Sequence, residues 1–161
     1  PKSFECIVTG GTDPNVGKAI WDNMPAGILP YGQEFADPGY SVVGSDGIAH
    51  YVNWSRPDPV YAWVEVTLVT TDPDGGPLGD YEQAIKDAVA AYGNKNFGLG
   101  NNFKLQQFYA PVYSVPGVYS ITLRIATTAT EGGTPTYGTA NIAVAAREYL
   151  TFSAARVEVL P

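Results

Sequence analysis

The chain has 161 residues, of which 45% are hydrophobic and 16% charged, and its formal net charge is −7 at pH 7. This length and composition are typical of a folded, turn-rich protein with one full domain or two small ones, and they exclude a disordered chain. The nine Lys and Arg residues are scattered and no apolar run approaches the ~20 residues that span a bilayer, so we expect neither a nucleic-acid nor a membrane partner.

The first predicted subdomain, residues 1–57, has the element order β-α-β-β. It opens with a short apolar strand at residues 3–8, which a pair of glycines closes. Asp13 is predicted as the N-cap of a helix, because a proline follows it and the apolar residues keep helical spacing as far as Met24. An apolar linker at residues 26–32 comes next.

A hairpin completes this subdomain. Residues 40–43 and 48–54 are extended runs joined through an Asp-Gly pair, which is a strong hairpin signal. His50, the only histidine of the chain, is predicted to face solvent, opposite the apolar residues of the second run. Prolines at positions 57 and 59 disfavour both helix and sheet and therefore mark the boundary between the subdomains.

The second predicted subdomain, residues 58–161, begins with a strand at residues 60–70, whose alternation gives one core face and one mixed face. A helix at residues 80–92 and a shorter helix at residues 105–113 follow. The apolar stripe of the first of these helices consists of Tyr81, Ile85, Ala88, Val89 and Tyr92.

Strand and loop make up the rest of the second subdomain. Residues 118–126 predict a strand, and the Thr, Gly and Pro content of residues 127–139 is typical of an exposed loop. Further extended pieces are predicted at residues 142–144 and 156–160. The inward residues of the 118–126 strand are predicted to be Tyr119, Ile121, Leu123 and Ile125.

Strands interleaved with a few helices, without regular β-α-β spacing, predict the α+β class. We therefore expect two small subdomains of mostly antiparallel sheet, with helices packed on one face.

No motif in the sequence predicts a metal or cofactor site. The stretch from Gly11 to Lys18 has five residues between its glycines instead of the four of a phosphate-binding loop, and Ala19 replaces the Ser or Thr that holds magnesium. Asp72 and Asp74 have the spacing of calcium ligands, but the later acidic positions of such a loop are missing. We therefore expect no cofactor.

Catalytic groups are equally sparse. Cys6 is the only cysteine, and its apolar neighbours predict a small buried thiol. The chain has no nucleophile elbow for a triad built on His50. A hydrolase with a carboxylate pair, such as Glu65 with Glu82, stays open as an alternative, because the sequence does not give the distance between two carboxylates.

The aromatic content leaves a second alternative open. Eleven tyrosines and three tryptophans could stack on sugar rings, although packing within a core or an interface is their commoner use. A carbohydrate-binding module therefore remains a hypothesis.

Several segments resemble, in order and spacing, the C-terminal region of the baseplate J-like family of phage tail proteins. The similar segments are residues 3–11 (SFECIVTGG), 16–21 (VGKAIW) with 25–28 (PAGI) and 31–32 (YG), 54–57 (WSRP) and 113–118 (YSVPGV). The amphipathic helix at residues 85–92 also fits the family's pattern. The resemblance covers nearly the whole chain.

The resemblance implies a structural, non-enzymatic wedge component that links the tail hub to peripheral baseplate parts. Its implied partners are other baseplate and tail proteins, in a homo-oligomeric or hetero-oligomeric particle. The implied location is the virion tail baseplate, or the host bacterial cytoplasm during assembly. A carbohydrate-binding tail module and a phage-derived contractile injection system are the alternatives. No catalytic residue is carried over.

An assembly component is expected to present exposed loops and apolar patches that its neighbours bury. Three regions are candidates for such contacts: the 26–32 segment, the 127–139 loop and the outward aromatics of the strand at 60–70. The candidate residues are Ile28, Leu29, Tyr31, Tyr61, Trp63 and Tyr137.

Overall fold

A computed structural model describes residues 2–71 and 78–161 of the chain. The chain divides into two compact units, Pro1–Pro57 and Asp58–Pro161, which we call the N-unit and the C-unit. The described part contains three α-helices and eight strands, in small sheets with both parallel and antiparallel pairs. The predicted α+β class is therefore confirmed.

The N-unit contains two two-stranded sheets and one helix. Its elements are β1 (Ser3–Glu5), α1 (Asp13–Asn23), β2 (Leu29–Tyr31), β3 (Tyr40–Val43) and β4 (Ala49–Val52). β1 pairs with β2 in parallel, and β3 pairs with β4 as an antiparallel hairpin. The segment at 26–32, which was predicted as a linker, thus contains the strand β2. This strand lies between Gly27 and Gly32 and is too short to show an alternating pattern.

Helix α1 has Thr12 as its N-cap residue, so the prediction of Asp13 as N-cap is wrong. Thr12 has an extended backbone and its carbonyl accepts the N–H of Val16 at 2.9 Å. Asp13 is the first helical residue, and its carboxylate accepts a hydrogen bond from the Arg56 guanidinium at 2.9 Å. The carboxylate is therefore engaged by Arg56 instead of capping the helix. The helix ends before Pro25, as predicted.

The core of the N-unit lies between α1 and the inner face of the β3–β4 hairpin. Its buried apolar residues are Val16, Ile20, Val42, Val52 and Trp54.

The C-unit is built around one long strand. Its elements are β5 (Asp58–Thr71), α2 (Leu78–Asn96), a 3₁₀ turn (Leu105–Phe108), α3 (Tyr109–Tyr113), β6 (Val118–Thr128), β7 (Glu148–Thr151), a second 3₁₀ turn (Ala154–Arg156) and β8 (Val157–Leu160). β6 pairs with one edge of β5 in antiparallel orientation, whereas β7 and then β8 pair with β5 in parallel.

The core of the C-unit lies between α2 and one face of this sheet. Val64 and Val66 are buried on β5, as the alternation predicts, and they share a cluster with the buried Ile85 and Val89 of α2. The predicted stripe on α2 is confirmed, since its tyrosines and alanine pack against the same cluster. Four phenylalanines extend the core, and the ring centroids of all six pairs lie 5.3 to 6.1 Å apart: Phe97, Phe103, Phe108 and Phe152.

A bulge in β6 changes one predicted core position. Tyr119 is 63% exposed, so the prediction that it faces inward is wrong. Val118 pairs with Thr71 and Ser120 pairs with Thr70, which leaves Tyr119 as an extra residue in β6. Because an extra residue shifts the alternation of the strand, Val118 is buried in its place.

The C-terminal strands also differ from the prediction. Residues 142–144 form no strand; Ile142 makes only an isolated bridge with Phe103. Strand β7, which pairs with β5 in parallel, has no counterpart among the predicted elements, because its pairing is set by a partner distant in sequence. The predicted piece at 156–160 is confirmed as β8, which begins at Val157.

Candidate functional site

The outward face of the β3–β4 hairpin carries two large exposed apolar side chains, those of Val43 and Tyr51. Ser41 is paired with Tyr51 and Val43 with Ala49, and all four side chains are exposed. Val43 is 69% exposed and Tyr51 is 51% exposed. The intervening residues Val42 and Val52 face the core, because successive side chains of a strand point to opposite faces. The sequence predicted this hairpin but did not identify its outer face as a candidate surface.

The neighbouring strand β2 adds two more exposed apolar side chains. Leu29 is 61% and Tyr31 is 50% exposed, whereas Pro30 between them is buried. Ile28 lies just before the strand and is half-buried in a turn. Strands β2 and β4 contact each other. We call Leu29, Tyr31, Val43 and Tyr51 the outer apolar set.

His50 lies on the inner face of the hairpin, so the prediction that it faces solvent is wrong. It is paired with Val42 across the hairpin, and its ring stacks on Trp21 of α1 with the ring centroids 3.9 Å apart. Its Nε2 lies 2.9 Å from Oδ2 of Asp46. The hydrogen bond from the Ile48 N–H lowers the pKa of the Asp46 carboxyl, and the hydrogen bond with His50 lowers it further. The contacts of His50 are therefore those of a packed side chain.

An apolar groove of about 420 Å³ opens between residues 4–8 and helix α1. One wall consists of the half-buried side chains of Phe4, Cys6 and Val8, and Ala19 and Ile20 belong to the opposite wall. Burial raises the pKa of the Cys6 thiol above its ordinary value. The thiol is therefore held in its protonated, less nucleophilic form at neutral pH.

The outer face of the C-unit sheet carries a row of charges in register. Glu65 of β5 lies between Glu158 of β8 and Arg124 of β6. Glu65 is only 5% exposed, and the Nε of Arg124 donates a hydrogen bond to its Oε1 at 2.5 Å. This carboxylate is therefore engaged in an ion pair on the side of the sheet that faces away from α2.

Tyr137 lies against this row. The guanidinium carbon of Arg124 is 5.9 Å from the centroid of its ring. Burial, followed by the charges of Glu158 and Glu65 and a hydrogen bond with Glu158, raises the pKa of Tyr137 to about 12. The structure thus places this candidate residue in a half-buried polar network.

The two other aromatic candidates of the C-unit are also half-buried. The Nε1 of Trp63 donates to Oγ1 of Thr128 at 2.8 Å, and the guanidinium carbon of Arg156 lies 5.1 Å from the ring centroid of Tyr61. Arg156 is itself buried and donates to Oε1 of Glu131 at 3.0 Å. These partners are distant in sequence, so no local sequence pattern indicates them.

The loop predicted at residues 127–139 begins as the end of β6 and then folds back on that strand. Gly138 and Ile125 exchange two backbone hydrogen bonds, at 2.8 and 2.9 Å. Together with the contacts of Glu131 and Tyr137, these bonds fix the loop to the outer face, although most of its residues are exposed.

The carboxylates of Glu65 and Glu82 are each paired with a different cation, Arg124 for Glu65 and Lys86 for Glu82. Glu65 faces away from α2, whereas Glu82 lies on α2 and accepts a hydrogen bond from Lys86 at 2.5 Å. Asp72 and Asp74 lie outside the described residues. Among residues 2–71 and 78–161, no cluster of three or more His, Cys, Asp or Glu side chains is arranged to hold a metal ion.

No protein-family model and no curated protein matches the chain. Across the described ranges, no helix combines the length and the apolar character needed to cross a membrane. Function is therefore inferred from the surfaces above and from the resemblance of the sequence segments.

Proposed function

We propose that the protein is a non-enzymatic structural component of a phage tail baseplate, or of a related contractile injection system, and that its N-unit docks onto a neighbouring baseplate or tail protein. The outer apolar set carries this proposal. Its four large apolar side chains are each half exposed or more, within a unit of only 57 residues. Val43 and Tyr51 share the outward face of the hairpin, and exposed apolar side chains that form a patch mark protein contact sites.

The energetics support an assembly role. Complete burial of a side chain of this size contributes about 1.5–3 kcal/mol relative to exposure, so the four side chains together could contribute several kcal/mol to docking. Part of that gain offsets the lost freedom of the two partners. A single contact of this kind is therefore weak, but contacts repeated in a multi-copy particle act together.

One observation favours the carbohydrate-binding alternative. A hollow of about 510 Å³ on the C-unit is lined in part by Trp63, Tyr137 and Glu158, which are side-chain types that can contact a sugar. The Tyr137 ring, however, already lies against Arg124 and hydrogen-bonds with Glu158. Calorimetry against host polysaccharides tests this alternative, and heat of binding that disappears in Trp63→Ala would favour it over assembly.

The assembly proposal is tested by locating the protein in purified tail particles with antibody-labelled electron microscopy. Label at the baseplate end is the expected result, and its absence from particles would overturn the proposal.

A matched pair of variants tests the surface itself. Tyr51→Asp should fold, because Tyr51 is exposed, but its incorporation into particles should fall at least about tenfold, since docking would bury the new carboxylate. Tyr119→Asp makes the same change at an exposed position of the C-unit and should be incorporated normally. Equal incorporation of the two variants would exclude the outer apolar set as the contact surface.

A further inference from the structure

A polar pocket of about 320 Å³, which we call the amide pocket, opens in the C-unit beyond the C-terminal end of α2. Its volume falls within the range of small-molecule sites, which runs from about 300 to about 1,000 Å³. No carboxylate is found among its described lining residues. Five of these residues instead carry an amide or an ammonium group: Asn96, Asn101, Asn102, Lys104 and Gln107.

Backbone hydrogen bonds hold the loop that forms this pocket, between α2 and the first 3₁₀ turn. In the middle of the loop, the N–H of Gly100 donates to the carbonyl of Glu148 at 2.8 Å. Near its end, Phe103 exchanges two backbone hydrogen bonds with Ile142, at 2.9 and 3.0 Å. Because the loop is tied to the C-terminal segment at both points, the pocket needs little ordering when a ligand binds.

Two of the lining amides are oriented by one hydrogen bond each. Oδ1 of Asn102 accepts the N–H of Val144 at 3.1 Å, and Nδ2 of Asn96 donates to the carbonyl of Tyr92 at 2.8 Å. Each amide therefore keeps its other polar atom for a ligand, an amino donor on Asn102 and a carbonyl acceptor on Asn96. Three further lining side chains are exposed and have no hydrogen-bond or ion-pair partner within residues 2–71 and 78–161: Asn101, Lys104 and Gln107.

The charges around the pocket favour a neutral ligand. Lys104 is the only charged side chain among the described lining residues, and it disfavours a cation. The C-terminal end of α2 carries the negative end of the helix dipole, which disfavours an anion. Phe97 is the only lining residue with an apolar side chain, and its ring packs against Phe108 with the centroids 5.5 Å apart, so an apolar ligand would find little contact. A neutral ligand with several hydroxyl groups fits, because a hydroxyl both donates and accepts, as an amide does.

We propose that the amide pocket binds a neutral sugar unit of an oligosaccharide, whose hydroxyl groups exchange hydrogen bonds with the amides of Asn101 and Gln107. The amino group of Asn102 donates to a further hydroxyl, and the carbonyl of the Asn96 side chain accepts from one. This site is separate from the hollow beside Trp63. It does not depend on the proposed function, because a structural component of a particle can also carry a sugar site.

The probe for this proposal is an array of bacterial surface oligosaccharides, to which the full chain is applied. We expect binding to glycans that contain neutral sugar units. Gln107→Ala removes one amide of the pocket and should weaken this binding at least about tenfold, because the hydroxyl it pairs with loses its partner. Gln106→Ala makes the same change at the adjacent exposed glutamine, which is not among the described lining residues, and should leave binding unchanged. The absence of any bound glycan, or an equal effect of the two variants, would overturn the proposal.

Two further measurements distinguish this site and its ligand from the alternatives. Trp63→Ala changes the other hollow, so it should leave binding at the amide pocket unchanged. Binding that is lost in Trp63→Ala but kept in Gln107→Ala would place the sugar in that hollow and refute the proposal. Because a neutral sugar forms no ion pair with Lys104, its affinity should stay within about threefold between about 50 and about 500 mM salt. A larger fall would show that the ligand is an anion and would refute the neutral class.

Discussion

The phenol of Tyr137 lies where its surroundings oppose ionisation. Burial and the charges of Glu158 and Glu65 raise its pKa to about 12, whereas a tyrosine in an unfolded chain titrates near 10. The folded state thus holds the proton more tightly than the unfolded state. The stability that this provides is fully present below about pH 10 and is lost as the pH rises from about 10 to about 12.

Tyr137→Phe should remove this contribution to the pH dependence of stability. We expect the free energy of unfolding of the wild type to fall more steeply than that of the variant between about pH 9 and about pH 11.5, measured by urea denaturation. Tyr119→Phe, at an exposed position, is the control and should follow the wild type. Parallel curves for the wild type and Tyr137→Phe would show that the phenol does not retain its proton as described.

Individual side chains were the hardest feature to predict from the sequence. Leu29 and Tyr31 could be identified as candidates because they lie in an apolar segment interrupted by glycine and proline, which is typical of an exposed connection. The half-buried state of Trp63 could not be predicted, since its partner Thr128 is brought near only by the pairing of β5 with β6. For His50, the choice of face depended on one register, and a strand of four residues does not fix that register by its own pattern.

Helix α2 packs closely against the C-terminal segment through a glycine. A Cβ atom added at Gly93 would lie 2.3 to 2.5 Å from ring atoms of Phe152, which is itself packed among the core phenylalanines. Alanine in a helix interior gains roughly 1 kcal/mol over glycine, but overpacking a core typically costs about 1–3 kcal/mol. At so short a distance the ring has to move, so the overpacking should prevail.

Gly93→Ala should therefore lower the free energy of unfolding of the C-unit, by up to about 2 kcal/mol, in urea denaturation followed by circular dichroism. Gly98→Ala is the matched control, because the nearest atom to its added Cβ is 3.9 Å away. Its stability should stay within about 0.5 kcal/mol of the wild type. A Gly93→Ala protein as stable as the control would mean that Phe152 has room to move.

At the level of elements, the sequence predicted those with a repeating apolar pattern or a clear turn signal and missed two short strands. The apolar stripe of α2 recurs over several turns, so its helical period could be recognised without any tertiary information. Strands β2 and β7 have three and four residues, and neither contains enough alternation to establish a period. Both exist because a partner strand, β1 or β5, satisfies their backbone groups.

Each unit has a core of its own, but the two cores differ in size. The C-unit core combines apolar residues of β5, β6, α2 and the C-terminal strands, whereas that of the N-unit has five buried apolar residues and an open groove among the residues described. A chain of about 60 residues buries only about 60% of its unfolded surface and is marginally stable. The N-unit is of that size, whereas the C-unit is larger and has the larger core. The C-unit should therefore fold without the N-unit.

A fragment of residues 58–161 should unfold in one cooperative transition, with a midpoint within a few degrees of that of the C-unit in the full chain. Trp63 is the only tryptophan in this fragment, so its fluorescence follows the C-unit alone. Circular dichroism of the same sample provides a second probe. A fragment that is unfolded, or whose two probes disagree, would show that the C-unit requires the N-unit.

Strand β5 opens the C-unit, yet two of its three partner strands come at the far end of that unit. Asp58 pairs with Glu148, and Val66 pairs with Val159. On the ribosome, β5 therefore emerges long before the residues that complete its second edge, and pairs so distant in sequence form slowly. Through most of translation this strand is open to pairing with the wrong chain, so the yield of folded protein in the cell should depend on chaperones more than on final stability.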